Sequence, residues 1–303
     1  MNSKPRSYPI FLYLLTSIIL TSCGGGGGGD FNVNFPPISP IPPVTNTDFE
    51  AVEVFSAEVP VVNHTQFNLT GIEGVITVTG ISGATSVMIA AIKRVQSESL
   101  QDAEAHLQEL EVIVQDLATE IRVETIQPID DGGLNYIVDY TITLPNFLET
   151  HVENTGGIVT LDSINNDVTV INVGGDITLR NILGSALIDL VAGTIAGEVT
   201  LPLNGAIDMK TVTGDINLVI PVNTSAEFSA AVNIGSISDS NLVLQNEVRT
   251  ATFRSGTLGS GRGTITLETE ALGNITVSGW PLKEKGNSKQ VYLVRGLAYY
   301  FYL

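Results

Sequence analysis

Residues 155–164 read TGGIVTLDSI, and residues 173–182 read VGGDITLRNI. The two stretches share their glycines and apolar positions, because Gly157 aligns with Gly175 and Val159 with Ile177, whereas the polar positions differ. A pattern that keeps its turn and its inward face while its outward face varies is typical of a structural repeat. Five clear copies of the pattern begin at glycines spaced 18, 18, 21 and 21 residues apart, and these are Gly157, Gly175, Gly193, Gly214 and Gly235.

Each repeat reads as two short strands with a glycine at the corner between them. Val, Ile and Leu alternate with Thr, Asp, Asn and Arg, which predicts one buried and one exposed face. A unit of about twenty residues cannot cover its own apolar face, so neighbouring units must stack. We therefore predict a mainly β fold in which residues 148–280 form a parallel β-solenoid. The alternative is an antiparallel β-sandwich, since regularly spaced short strands also fit that fold.

Residues 49–147 have a different pattern and predict a β-rich leading section with one short α-helix near 99–110. Leu100, Ala103, Leu107 and Leu110 share one helical face, and Ser99 is a suitable N-cap. We expect this helix to cover a sheet or the open end of the repeats. Residues 281–303 interrupt the repeat pattern and predict a C-terminal cap or tail.

The N-terminus has the layout of a lipoprotein signal. Lys4 and Arg6 precede an eleven-residue apolar run, which is shorter than the roughly twenty residues of a membrane-spanning helix. The sequence Leu20-Thr21-Ser22-Cys23 resembles the lipobox of bacterial lipoproteins, which implies cleavage between Ser22 and Cys23 and lipid attachment to Cys23.

The regions predicted from this layout are a signal peptide over 1–22 and a lipidated cysteine with a Gly- and Pro-rich tether over 23–48. We therefore expect an exported protein that faces the periplasm or the cell surface and is held to a membrane by its lipid. By analogy with lipoprotein sorting, Gly24 after the cysteine favours the outer membrane, if the organism has one.

The charge balance restricts the partners. The chain has 14 basic and 32 acidic residues, a formal net charge of -18. A surface this acidic repels phosphate-rich ligands, so nucleic acid is not an expected partner. Contact with the membrane is expected through the lipid.

The sequence offers no clear catalytic constellation, and we predict no catalytic residue, no metal site and no cofactor. His64, His106 and His151 lie in unrelated contexts without ligand spacing. Aligning Ile188-Asp189-Leu190 with Ile207-Asp208-Met209 predicts that Asp189 and Asp208 project outward from adjacent strands, with Lys210 nearby. Such a pair is a speculative surface contact for a cation or a sugar.

The order of features over residues 68–280 resembles the bacterial putative-adhesin family. The similarity depends on VITVTG, the helix SLQDAEAHLQEL, the segment YIVDYTITLP and the glycine turns that follow. It implies a β-repeat domain on a lipoprotein, without known catalytic residues.

We therefore expect a lipid-anchored envelope module that binds a glycan or an envelope protein, or supports the envelope structurally, without catalysis. Two alternatives are a polysaccharide-active β-helix enzyme and an envelope-stress or assembly lipoprotein.

Overall fold

A computed structural model describes residues 49–129 and 133–280, together with the backbone of 289–294 and 297–302. The predicted signal peptide, the lipidated cysteine and the tether lie outside the described residues. The described chain is mainly β, with one helix and two large mixed sheets. Within this part of the chain, no helix is long and apolar enough to cross a membrane.

The elements follow one another in chain order. The helix and strands of the leading section are β1 (Phe49–Pro60), β2 (Gln66–Thr70), β3 (Ile76–Ile81), β4 (Ser86–Ser97), α1 (Leu100–Leu107), β5 (Glu111–Asp116), β6 (Glu120–Ile126) and β7 (Asn135–Pro145). The strands of the repeats are β8 (Glu149–Gly156), β9 (Val159–Asp162), β10 (Val168–Gly174), β11 (Ile177–Ile182), β12 (Ala186–Ala192), β13 (Ile195–Val199), β14 (Ala206–Thr213), β15 (Ile216–Pro221), β16 (Ala226–Ile234), β17 (Ile237–Ser240), β18 (Leu244–Arg249), β19 (Phe253–Leu258), β20 (Gly263–Leu272) and β21 (Ile275–Trp280). The last two strands, β22 (Lys289–Val294) and β23 (Leu297–Tyr302), pair with each other in antiparallel fashion.

The strands assemble into a ten-stranded and an eleven-stranded sheet. The spatial order of the ten-stranded sheet is β1-β4-β7-β3-β9-β11-β13-β15-β21-β17. That of the eleven-stranded sheet is β18-β19-β16-β20-β14-β12-β10-β8-β2-β6-β5.

From β8 to β17, consecutive strands alternate between the two sheets, so one strand from each sheet forms a repeating unit. Units stack through parallel pairing, as in β9 with β11 and β10 with β12. The two large sheets agree with the alternative prediction of a β-sandwich. Its antiparallel pairing is wrong for these strands, because like strands of successive units run in the same direction.

Apolar side chains stack in columns between the sheets. Val159 lies opposite Ile177, and Ile177 opposite Ile195, and all three are buried. Burying one such side chain contributes about 1.5–3 kcal/mol, so repetition of the column is a large part of the stability. The column on the ten-stranded sheet consists of Tyr140, Ile76, Val159, Ile177, Ile195, Ile216 and Ile275, and one on the eleven-stranded sheet consists of Leu69, Val152, Val170, Ile188, Met209 and Leu267.

The last units do not stack in sequence order. Strand β20 lies between β14 and β16, and β21 lies between β15 and β17. Gly235 is the next repeat glycine after Gly214 in the sequence but not in the stack, since Gly273 lies between them. The chain passes through β16, β17 and two antiparallel strands, β18 and β19, before it returns to fill this position.

The leading section has its own pairing scheme. Strand β1 pairs antiparallel with β4 along its whole length, and β4 pairs antiparallel with β7. Strands β2 and β3 pair in parallel with β8 and β9, so they form a first unit of the stack and cross the boundary predicted at residue 147.

Helix α1 packs against β1 and β4 and therefore covers part of the ten-stranded sheet. Ser99 is its N-cap, and the Ser99 side chain accepts a hydrogen bond from the Asp102 amide. Ala103 and Leu107 are buried, as predicted, whereas Leu100 is exposed.

Candidate binding surfaces

The five repeat glycines stand in one column at a corner of the stack, together with Gly74 and Gly273. Gly175 has φ +103°, and a Cβ built on it would lie 2.1 Å from the Gly157 carbonyl oxygen. Only glycine combines this left-handed conformation with so close an approach of the next backbone. A Cβ at Gly175 would therefore collide with the backbone of the neighbouring unit.

Carboxylates at the same corner connect successive units. Asp176 Oδ1 accepts a hydrogen bond of 2.8 Å from the Thr194 amide, and Asp215 Oδ1 accepts one of 2.7 Å from the Asn274 amide. The acceptor comes from one unit and the donor from the next, so these side chains stabilise the stack.

The predicted pairing of Asp189 with Asp208 is wrong. Asp189 lies opposite Lys210, and Asp208 lies opposite Leu187. The true offset between these strands is two residues more than the alignment of Ile188 with Ile207 assumed, which leaves the inward alternation unchanged. Lys210 Nζ is 3.7 Å from Asp208 Oδ2, so Lys210 offsets the charge of Asp208 from its own strand.

The other predicted site residues do not converge. Cys23 and Ser22 lie outside the described residues. His64 bonds to Asp116 at 2.8 Å, His106 to Glu109 and His151 to Glu153, each at 2.9 Å, in three separate places. In the described part of the chain, no group of three or more His, Cys, Asp or Glu residues is placed to hold a metal ion.

The outer face of the ten-stranded sheet carries a regular line of eight side chains, called here the hydroxyl row, of which six carry a hydroxyl, one is the amide of Asn217 and one is the methyl group of Ala196. Its members are paired in register on eight neighbouring strands, and each is at least partly exposed. At about 4.8 Å per strand the row extends for roughly 34 Å. In spatial order it consists of Thr141, Thr77, Thr160, Thr178, Ala196, Asn217, Thr276 and Ser238.

Two features flank the hydroxyl row. A shorter line of polar residues lies two positions further along the strands. In this line, Asp162 is the register partner of Thr79 on one neighbouring strand and of Arg180 on the other. At the other end of the sheet, the half-buried Trp280 follows Ser278 at the outward positions of β21. The face therefore offers hydroxyls along its length and an indole ring at the end of β21.

The eleven-stranded sheet carries a charged group that sequence reasoning missed. Asn68, Arg122 and His151 are register neighbours on three strands, and Glu120 Oε1 lies 2.7 Å from Arg122 Nε. Burial raises the pKa of Glu120, but hydrogen bonds from Asn68 and Arg122 and the charges of Arg122 and His151 outweigh it and lower the pKa. Asn68 and His151 are separated by 83 positions in the sequence, so no short motif predicts that the four residues come together.

Comparisons with known proteins give structural neighbours alone. No protein-family model matches the sequence, and no curated protein matches it. A putative cell adhesion protein from Clostridium sporogenes is similar at 10% identity and a TM-score of 0.41, over 76% of this chain and 100% of that one.

Two further solved structures are similar. A putative adhesin from Bacteroides fragilis has 12% identity and a TM-score of 0.27, over 74% of this chain and 97% of that one. A putative lipid binding protein from Parabacteroides distasonis has 11% identity and a TM-score of 0.24, over 76% and 97%. The function proposed below therefore depends on the geometry of the two sheet faces.

Proposed function

We propose that this chain is an exported, lipid-anchored envelope module that binds an extended neutral glycan along the hydroxyl row, without catalysis of its own. The observation that carries the proposal is the register of the row across eight strands. Within this proposal, the alternating two-strand units form a parallel β-solenoid, and the solenoid keeps the row straight and evenly spaced.

A threonine hydroxyl both donates and accepts hydrogen bonds, as sugar hydroxyls do. The side chains of Thr160 and Thr178 are β-branched and partly buried, so they have few rotamers to lose when a ligand binds. A row with a constant spacing suits a ligand that repeats, because each added contact is then intramolecular.

The charge and the aromatic residue narrow the class of glycan. A chain with a net charge of -18 repels acidic polysaccharides, which favours neutral ones. Trp280 offers an apolar ring with a polar N–H, a combination suited to an amphipathic sugar face.

The test replaces two central hydroxyls without changing shape. We expect Thr160→Val with Thr178→Val to weaken binding to immobilised neutral envelope glycans at least tenfold, as measured by affinity electrophoresis. The matched control is Thr169→Val, a partly exposed threonine on the outer face of the other large sheet, which should bind as the unchanged chain does. Equal retention of all three proteins, or no retention of the unchanged one, would contradict the proposal.

The enzyme alternative has its own readout. Glu120 with its lowered pKa, Arg122 and His151 are the groups on which a polysaccharide-active site would be built. Release of reducing ends from acidic or neutral glycans, lost in Glu120→Gln but kept in the Asp189→Ala and Asp208→Ala controls, would favour an enzyme over a binding module.

Membrane attachment is tested separately. Cells that express the full chain are labelled with a clickable fatty acid, and the label is expected on the unchanged protein and absent from Cys23→Ala. Label on both proteins, or on neither, would contradict anchoring through this cysteine. A pull-down from envelope extract would detect the protein partners expected of an assembly or stress-response lipoprotein.

A further inference from the structure

The free edge of β1 is a second candidate binding surface, and it is independent of the proposed glycan site. Strand β1 is the end of the ten-stranded sheet and has twelve residues, all paired with β4 on one side. Among the described residues, no strand pairs with its other side. The other ends of the two large sheets are β17, with four residues, and β5 and β18, with six each.

An open edge of this length presents backbone N–H and C=O groups that can accept another strand. Native proteins commonly blunt such edges with short strands, prolines or covering segments. Proline stands only at the end of β1, at Pro60, so from Phe49 to Val59 every second residue keeps an N–H donor that points to the open edge, while the alternate ones bond to β4.

The sheet face beside this edge is apolar. The exposed fractions are 53% for Val52, 72% for Val54, 56% for Met88 and 43% for Ile92. These four residues, called here the β1–β4 patch, lie on two adjacent strands, with Val54 directly opposite Ile92. Ala90 lies between Met88 and Ile92 in the sequence and lines a shallow groove of about 450 Å³ at one end of the patch.

Acidic groups bracket the apolar positions of β1. Glu50 and Glu58 are exposed, on the same outward alternation as Val52 and Val54. Glu50 Oε2 lies 3.9 Å from Arg94 Nη1, whereas no ion pair of Glu58 occurs within residues 49–129 and 133–280. A strand that pairs with β1 meets apolar groups at its centre and carboxylates at both ends.

A second copy of this chain does not fit the edge. Antiparallel self-pairing centred on Val54 would place Glu50 opposite Glu58 of the other copy, and pairing centred on Phe55 would place Val52 opposite Glu58. Like charges directly opposite are unfavourable, and two molecules with a net charge of -18 repel each other.

We propose that the free edge of β1 and the β1–β4 patch bind an extended polypeptide segment by strand addition. The segment has apolar side chains at alternate central positions and basic residues at both ends. Backbone hydrogen bonds hold the segment, and its side chains select it.

The inner side of β1 is already fixed, so little ordering is needed on binding. Glu53 pairs with Lys93 at 2.7 Å, and Ala51 and Val59 are buried.

The probe is a synthetic nine-residue peptide, Lys-Thr-Val-Thr-Val-Thr-Ser-Thr-Lys, added to the full chain. Saturating peptide should slow hydrogen exchange of the β1 amides on the edge away from β4 at least tenfold and leave β9 to β15 unchanged. The same peptide with glutamates in place of the lysines should bind at least tenfold more weakly.

Two variants locate the site. Val54→Lys should weaken peptide binding at least tenfold, and Glu58→Lys about fivefold. The control Val248→Lys changes a valine that is 54% exposed on β18, the end strand of the other large sheet, and should bind as the unchanged chain does. Because all three positions are exposed, thermal unfolding should remain cooperative and identify any variant that fails to fold.

Three outcomes would overturn the proposal. The first is that the β1 amides on the edge away from β4, which have no partner in the sheet, are already protected in the free chain. The second is peptide binding that Val54→Lys and Val248→Lys weaken equally. The third is protection of β1 that rises with protein concentration, which would assign the edge to a second copy.

Discussion

The repeats and the leading section both contribute to the hydrophobic core but maintain their structure in different ways. In the repeats, the same parallel contact recurs from unit to unit, with a glycine corner such as Gly175 and an aspartate link such as Asp176. In the leading section, antiparallel strands and α1 are joined by individual contacts such as Lys93 with Glu53. A repeated contact therefore tolerates outward variation, whereas a contact made once is sensitive to the identity of its two residues.

The outer face of the ten-stranded sheet also differs between the repeats and the leading section. The hydroxyl row extends over the parallel strands of the ten-stranded sheet, and the β1–β4 patch lies at the antiparallel end of the same sheet. Repetition produces an evenly spaced polar surface, and the part that does not repeat supplies the one long open edge among the large sheets of the described chain.

The largest expected effect is at the glycine corner. Gly175→Ala should lower the free energy of unfolding by about 3 kcal/mol or more, because a positive φ and contact with the Gly157 carbonyl both oppose a Cβ. Its neighbour Gly174 has no atom within 4 Å of a built Cβ, so Gly174→Ala should stay within about 0.5 kcal/mol. Urea unfolding followed by Trp280 fluorescence measures both. Equal costs at the two positions would mean that the corner does not control stacking.

A buried cation of the leading section should have the next largest effect. Lys93 Nζ donates to the Leu110 carbonyl at 3.0 Å and pairs with Glu53 at 2.7 Å. Lys93→Ala should cost about 2 kcal/mol, since it leaves a buried carbonyl without its donor, while half-exposed Glu53 can be solvated.

The matched cation of the repeats is Lys210, which is more exposed and lies 3.7 Å from Asp208. Lys210→Ala should change stability by less than about 0.5 kcal/mol, because exposed ion pairs contribute little. The same urea titration applies. A cost for Lys210 equal to that for Lys93 would remove the distinction between the two regions.

An effect smaller than that of Lys93→Ala appears only at high pH. The Tyr140 hydroxyl bonds to Thr125 Oγ1 at 2.6 Å, and burial raises the pKa of Tyr140 to about 12, an effect that the Thr125 hydrogen bond partly opposes. The folded pKa lies above the ordinary value near 10, so this stabilisation is complete below pH 10 and is lost as the pH rises towards 12. The loss amounts to about 1.4 kcal/mol by pH 11.

The corresponding measurement compares urea midpoints at pH 9 and pH 11 for the unchanged chain and for Tyr140→Phe. The variant should lack this component of the pH dependence and should lose about 1 kcal/mol at pH 9 with the hydrogen bond. An identical pH dependence in both proteins would mean that Tyr140 is not the group responsible.

Local features of the fold could be predicted from the amino-acid pattern alone. Alternation at period two identified the buried faces that contain Val159 and Ile177, because side-chain direction in a strand depends only on position. Glycine at each corner and Ser99 before α1 were also readable, since both act within a few residues.

The choice of neighbouring strands depends on tertiary contacts. A slip of two residues keeps every side chain on its own face, so alternation could not decide between Asp208 and Lys210 as the partner of Asp189. The true offset of 21 residues equals the spacing of Gly193 and Gly214, so the glycine spacing already contained this register, although the alternation did not. Strands β20 and β21 insert into the stack, and β1 lies at the end of its sheet. Both positions depend on the total burial of segments that are distant in the sequence, so a local sequence pattern could not predict them.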